Sequence, residues 1–252
     1  MKKQVYVVYD SGVGGLTVLK ELIEQNIQAN FIYVGDTHNA PYGDKTPEQI
    51  KNYVEENIKL VQEKYFVKGI IMACNTASIL AKSYIERIFS IPVFSISESI
   101  IEHLQSKEKI CFLTTKLTAK SQFFQSHIRN SIAIGCEKFV PMIESKMYLF
   151  EEYRKEIVKE TLTTLNNNDF QKVILACTHF PFLKSEIEDF FHKKIPVINP
   201  AEQFVMDIKK DIEQSNFYLE FIVTGDQEMF YHFVKERLGW NIEENILEKK
   251  AI

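Results

Sequence analysis

I-I-M-A-C-N-T-A at residues 70–77 returns as V-I-L-A-C-T-H-F at residues 173–180, and this pair decides the fold of the chain. Each copy is an apolar run of strand length that ends in Ala-Cys and then turns polar. The offset from Cys74 to Cys177 is 103 residues. Further out, the apolar run at 5–9 ends in Asp10-Ser11 and the run at 110–113 ends in Thr114-Thr115, with 104 residues between Asp10 and Thr114. Two strand ends repeating at nearly one spacing predict a duplicated α/β unit. Ligands of such units sit beyond the carboxyl ends of the strands, so two facing halves would bring both cysteines to one cleft.

The intervening sequence fits that frame. Further strands are expected at 31–34, 69–72, 92–96 and 172–175. Helices are expected after the turn at 10–15, with Leu16, Leu19, Leu22 and Ile23 on one face, and at 47–64, 78–89 and 151–165. Thr46 and Pro47 read as the cap and first residue of the 47–64 helix. Strands alternating with helices predict mostly parallel sheets. The expected architecture is two similar, pseudo-symmetric α/β domains with the active site in the cleft between them. Residues 1–97 and 206–252 would form the first domain, with Asp10 and Cys74, and 98–205 the second, with Cys177.

Composition sets limits on function. The 252 residues are 45% hydrophobic and 25% charged, ordinary for a globular enzyme with a real core. A net charge of -4 and a pI near 5.9 argue against a nucleic-acid binder. The first apolar run stops at Asp10, too early for a signal peptide, and no later stretch has the length of a membrane span. A cytoplasmic protein is expected, with no membrane partner and with Cys74, Cys111, Cys136 and Cys177 as free thiols.

D-S-G-V-G-G at 10–15 follows a strand, as a dinucleotide-binding loop would. Thr17 stands where the third glycine of that motif belongs, and Asp10 would repel a pyrophosphate. A carboxylate at that strand end suits an ammonium group or an acid–base partner, and free amides at the helix start suit a carboxylate. A-P-Y-G-D-K at 40–45 reads equally as a surface turn or as an anion site, with the Gly43 amide and the Tyr42 hydroxyl as donors.

A-C-N-T-A-S at 73–78 and A-C-T-H-F-P at 176–181 carry the chemistry. One cysteine in such a place would more often be structural. Two, each after a buried strand and before a helix, point to thiols activated by a helix N-terminus. Asn75, Thr76 and Thr178 are candidate donors to a substrate carboxylate, and His179 can exchange protons with Cys177. Zinc is disfavoured because no C-x-x-C pair is present. A Cys–His hydrolase would leave the second cysteine unexplained, and no lysine within these motifs is placed for a pyridoxal Schiff base. Cys111 reads as core, and Cys136, after Gly135 in a turn, has no assigned role.

With these residues the chain resembles the glutamate racemase family, within the aspartate/glutamate racemase superfamily. The matching blocks are D-S-G-V-G-G-L at 10–16, G-D-T at 35–37, P-Y-G at 41–43 and A-C-N-T-A-S at 73–78. Thr115, Thr118 and Ser121 follow, then C-T-H-F-P at 177–181 and T-G-D at 224–226 before a closing helix and Leu238-Gly239. The resemblance implies racemisation of D/L-glutamate without metal or cofactor, for peptidoglycan synthesis. It implies that Cys74 takes the proton of D-glutamate, supported by Asp10, and Cys177 that of L-glutamate, supported by His179 and Glu144. Ser11, Tyr42, Gly43, Asn75, Thr76, Thr115 and Thr178 would hold the substrate, and the protein would be a homodimer. Ala176 and Thr114 replace glycines usual in the family, and Thr224 a serine. No extension matches that of relatives activated by a cell-wall precursor, so no such activation is expected. Aspartate racemisation, or binding of an acidic amino acid without turnover, are the alternatives.

Overall fold

The computed structural model describes residues 1–104, 107–165 and 170–240, and the backbone of 246–248. The parts of the first expected domain at 241–245 and 249–252 lie outside the described residues.

The run Val5-Tyr6-Val7-Val8-Tyr9 is apolar at every position because a parallel strand is buried on both faces. Val5, Val7 and Tyr9 point to one core, packed under helices Pro47–Lys64 and Asn75–Phe89. Tyr6 and Val8 point to the other, shared with helix Leu16–Glu24 and continuous with the second domain. Around this strand, β1 (Gln4–Asp10), lie β2 (Asn30–Gly35), β3 (Phe66–Met72) and β4 (Val93–Ser95). The second half supplies β5 (Ile110–Thr114), β6 (Ser131–Gly135), β7 (Lys172–Leu175) and β8 (Val197–Ile198). The chain then returns to the first sheet as β9 (Tyr218–Val223) and β10 (Ile246–Glu248).

The first sheet runs β10-β9-β2-β1-β3-β4 and the second β6-β5-β7-β8, with every pairing parallel. The second order repeats the β2-β1-β3-β4 core of the first, so the duplication read from two strand ends extends to whole sheets. The register repeats too: Asp10 pairs with Gly35 as Thr114 pairs with Gly135.

Boundaries moved where caps decided them. Helix Pro47–Lys64 starts as expected, with Thr46 and Gln49 forming a reciprocal capping box. The expected strand at 92–96 is Val93–Ser95, because the Ser95 hydroxyl accepts from the Glu98 amide and starts helix Ile96–Glu102 there. The helix expected at 151–165 ends at Leu162 and tightens into a 3-10 turn at Thr163–Leu165. Helix Ile96–Glu102 and helix Ala201–Ile208, beside the two crossings between the sheets, pack on each other; Asp207 accepts from Ser99 Oγ at 2.6 Å and meets His103 Nε2 at 2.8 Å. No helix among the described residues is long and apolar enough to cross a membrane.

Candidate active site

The two sheets present their carboxyl ends to one cleft. From the first domain it is lined by Ser11, Tyr42, Gly43, Cys74, Asn75 and Thr76. From the second come Thr115, Glu144, Cys177, Thr178 and His179. Both sulfurs are nearly buried, at 5% exposure for Cys74 and 6% for Cys177, and each lies within electrostatic reach of the other.

Cys74 follows β3 and caps the next helix with its own sulfur, Sγ accepting from the Ala77 amide at 3.5 Å. That cap starts the helix at Asn75, three residues before the expected 78. Ser11 Oγ lies 3.6 Å from Sγ. The helix N-terminus was expected to lower the thiol's pKa, and the site does the opposite. Burial, then the Asp10 carboxylate, push Cys74 up to about 12, outweighing the Ala77 amide and the Ser11 contact. At neutral pH this sulfur carries its proton.

Asp10 stands behind the cleft wall and is fully buried. The Gly12 amide donates to Oδ1 at 2.9 Å and the Thr178 hydroxyl to Oδ2 at 3.1 Å. Of the two expected roles, partner of an ammonium group or of an acid–base group, the carboxylate's action on Cys74 goes with the second, and it also ties the glycine loop to the second domain. Burial raises its pKa, and His179 and these donors pull it back. The amides expected to be free at the helix start are also taken, Leu16 N–H by Val13 and Thr17 N–H by Gly14. The glycines serve close approach. A Cβ on Gly14 would come within 2.4 Å of both Thr178 Oγ1 and His179 Nδ1.

Cys177 has a different setting. Its strand leads into a 3-10 turn at Phe180–Leu183 containing Pro181, and the α-helix begins only at Lys184. The expected helix N-terminus is therefore not at this thiol, and His179 takes its place. The imidazole Nε2 donates to Glu144 Oε1 at 2.8 Å and the ring also hydrogen-bonds Cys177. Burial opposes the imidazolium, but Cys177 and Glu144 outweigh it and hold His179 well above the ordinary histidine range.

Of the polar side chains beside the cysteines in the cleft lining, some are already engaged and the Asn75 amide is not. Thr76 Oγ1 lies 3.0 Å from both Thr115 Oγ1 and Thr118 Oγ1, a hydroxyl cluster that joins the domains. Asn75 is 3% exposed; its Oδ1 accepts from Ser97 at 3.3 Å while its Nδ2 has no partner. A buried amide donor without an acceptor costs stability, so its place in the wall argues for a ligand oxygen. The Tyr42 hydroxyl, expected as a donor to the substrate, already has partners within the protein, while the residue lines the cleft. It donates to Asp36 Oδ2 at 2.6 Å and accepts from Tyr9, which accepts from Asn57, all inside the core. Gly43 keeps its place in the wall, where even a Cβ would approach Thr115 Cβ to 3.2 Å.

Two strand-end residues were given no role from the sequence. Asp36 after Gly35 and Cys136 after Gly135 occupy matching positions in the two sheets. Asp36 anchors Tyr42, Asn39 and Thr224, and Cys136 lines the cleft. The repeated register was the signal that could have found both. Cys111 is core, as expected. Among the described residues no group of three or more His, Cys, Asp or Glu is placed to hold a metal ion.

Two cysteines in one cleft at the ends of duplicated parallel sheets, one near a carboxylate and one hydrogen-bonded to an imidazole, go with a fold of the racemase class. The chain belongs to the Asp/Glu/hydantoin racemase family, whose model matches residues 11–207. Within that family it is similar to the glutamate racemase of Thermoanaerobacter pseudethanolicus, 33% identical over 95% of each chain. Among solved structures it is similar to a glutamate racemase isoform of Bacillus anthracis, with a TM-score of 0.88 and 25% identity over 100% of this chain and 98% of that one. The glutamate racemase of Francisella tularensis, solved in complex with D-glutamate, gives a TM-score of 0.85 at 25% identity over 99% and 98%.

Proposed function

We propose that this protein interconverts L- and D-glutamate by passing the α-proton between Cys74 and Cys177. The observation that carries the reading is the pair of cysteines contributed to one cleft by the two domains, with the partnerless Asn75 amide in the same lining. Racemisation removes a proton from one face of the α-carbon and returns one to the other. One rigid base would hand the proton back where it came from, so two opposed groups are needed, one as thiolate and one as thiol. Two thiolates leave no acid and two thiols no base, so activity follows a bell-shaped pH profile that belongs to the pair.

Cys74, held protonated by burial and Asp10, is set to act as the acid. On the other wall the His179 imidazolium stabilises negative charge beside it, so Cys177 takes the proton of L-glutamate. Cys74 then delivers its own proton to the opposite face, giving D-glutamate. The reverse turnover starts from Cys74 as thiolate. Charge spreads into the α-carboxylate as the carbanion forms, and the unpartnered Asn75 Nδ2 is its donor. Each such donor is worth about 3 kcal/mol in comparable oxyanion sites.

The reading includes supply of D-glutamate for peptidoglycan in the cytoplasm and a homodimeric state. It also keeps the division into 1–97 with 206–252, and 98–205, supported by the return of β9 to the first sheet. The test is incubation of L- and D-glutamate with the purified protein in D₂O, with L- and D-aspartate in parallel. Optical inversion of glutamate with deuterium at the α-carbon is expected. Binding without exchange would leave an acidic-amino-acid binding protein, and faster inversion of aspartate would reassign the substrate.

A further inference from the structure

The mouth of the cleft is electrostatically uneven. Asp44 from the first domain and Glu137 and Glu144 from the second line it, with Asp10 buried behind. Lys116 is the only lysine or arginine among the described residues that line it. It follows Thr115 and opens helix Lys116–Lys120, so its ammonium hangs at the rim while the preceding residue forms the wall. The backbone fixes that position: a Cβ on Gly135 would come within 2.9 Å of Lys116 Cα, so the end of β6 packs directly against it. Lys116 Nζ reaches Glu137 at 3.0 Å, and both side chains are about half exposed. An ion pair so exposed is weak, and another carboxylate can displace Glu137 from it at little cost.

On the reading of the site as one for glutamate, the substrate enters with a net charge of -1 against a rim rich in carboxylates. We propose that Lys116 is the residue that draws the dicarboxylic amino acid into the cleft, exchanging Glu137 for a substrate carboxylate as it arrives. This makes Lys116 a specificity residue at the mouth, apart from the proton-transfer machinery. It favours an acidic substrate over its uncharged amide, because only the acid carries the second carboxylate.

The test is Lys116→Met, measured for kcat and KM at low and at high ionic strength. A single exposed charge at contact range changes kcat/KM by about three- to tenfold in dilute buffer, and salt removes the effect. The expected result is a fall of that size at low salt, carried by KM, with kcat held and with the difference gone near 0.5 M NaCl. Glu137→Gln is expected to shift kcat/KM the opposite way, and Lys116→Arg to restore it. A loss that persists in high salt, or one carried by kcat, would make Lys116 a packing residue and overturn the proposal. Unchanged constants in Lys116→Met at every salt concentration would overturn it as well. In either case the wild-type protein still inverts glutamate, so the assignment of the reaction is tested separately.

Discussion

The two walls of the cleft share one backbone plan and differ in chemistry. On the first, Cys74 sits in a dry setting next to a buried carboxylate, and both influences favour the neutral thiol. On the second, Cys177 sits next to an imidazole whose positive form is held by Glu144. The repeated sheet plan brings both cysteines to one cleft, and their neighbours differ in charge. The difference teaches that the two sulfurs rest in unlike surroundings, one whose neighbours favour the neutral thiol and one beside an imidazole held in its positive form. Equilibrium sets a bound on how that shows. The enantiomers have equal free energy, so kcat/KM is the same for both at every pH, and the asymmetry has to be read elsewhere.

The largest expected effect removes one wall's sulfur. Cys74→Ala and Cys177→Ala should each lower the inversion rate by about 10³-fold or more, as loss of one member of a mutually dependent pair does. Circular dichroism would confirm that folding persists. Should either variant keep wild-type turnover, the two-sided scheme fails.

Next comes the charge on the second wall. His179→Asn is expected to lower kcat by about 10²-fold, the scale of a positioned acid–base partner. Glu144→Gln, which keeps a hydrogen-bond acceptor but loses the charge, should cost less. Equal losses would mean that Glu144 does more than hold the ring.

The first wall is read out by alkylation of Cys74 with iodoacetamide, followed by mass spectrometry. The thiolate is the reactive form, and a pKa raised to about 12 leaves little of it at pH 8. The rate should climb roughly tenfold per pH unit towards that value, as the thiolate fraction of a single group does. Asp10→Asn removes a negative neighbour, lowers the pKa and should speed labelling at any given pH. Fast labelling of wild-type Cys74 at pH 7 would erase the contrast between the walls.

Gly14→Ala tests how the walls are held together. Its methyl has to displace Thr178 and His179, so a loss of about 1–3 kcal/mol is expected in chemical denaturation. The smallest effect is expected from Tyr42→Phe. Removing a hydroxyl that serves only the buried Asp36 network costs about 1 kcal/mol of stability and leaves KM where it was. A raised KM with unchanged stability would restore the hydroxyl to the substrate.

Much of this was legible in the chain. Apolar runs ending at Asp10, Cys74, Thr114 and Cys177 state where parallel strands stop, because side-chain burial on both faces of a sheet is a local pattern. Thr46-Pro47 marks a helix start through capping, which is local as well, whereas the start at Asn75 was missed because a sulfur is not among the usual capping groups. The resemblance named Glu144, for which the residues around it carry no signal, since it meets His179 only across the second domain. The partners of the Tyr42 hydroxyl were not legible, because its direction depends on what surrounds it, here Asp36 and Tyr9.

The sequence by itself determined the duplicated α/β plan, the two thiols and the family, since each is written in runs and blocks a few residues long. Only the tertiary structure decided the charge state on each wall. A pKa depends on burial and on charges brought within a few ångströms from distant positions, as Asp10 is to Cys74 and Glu144 to His179, and those distances exist only in the folded chain.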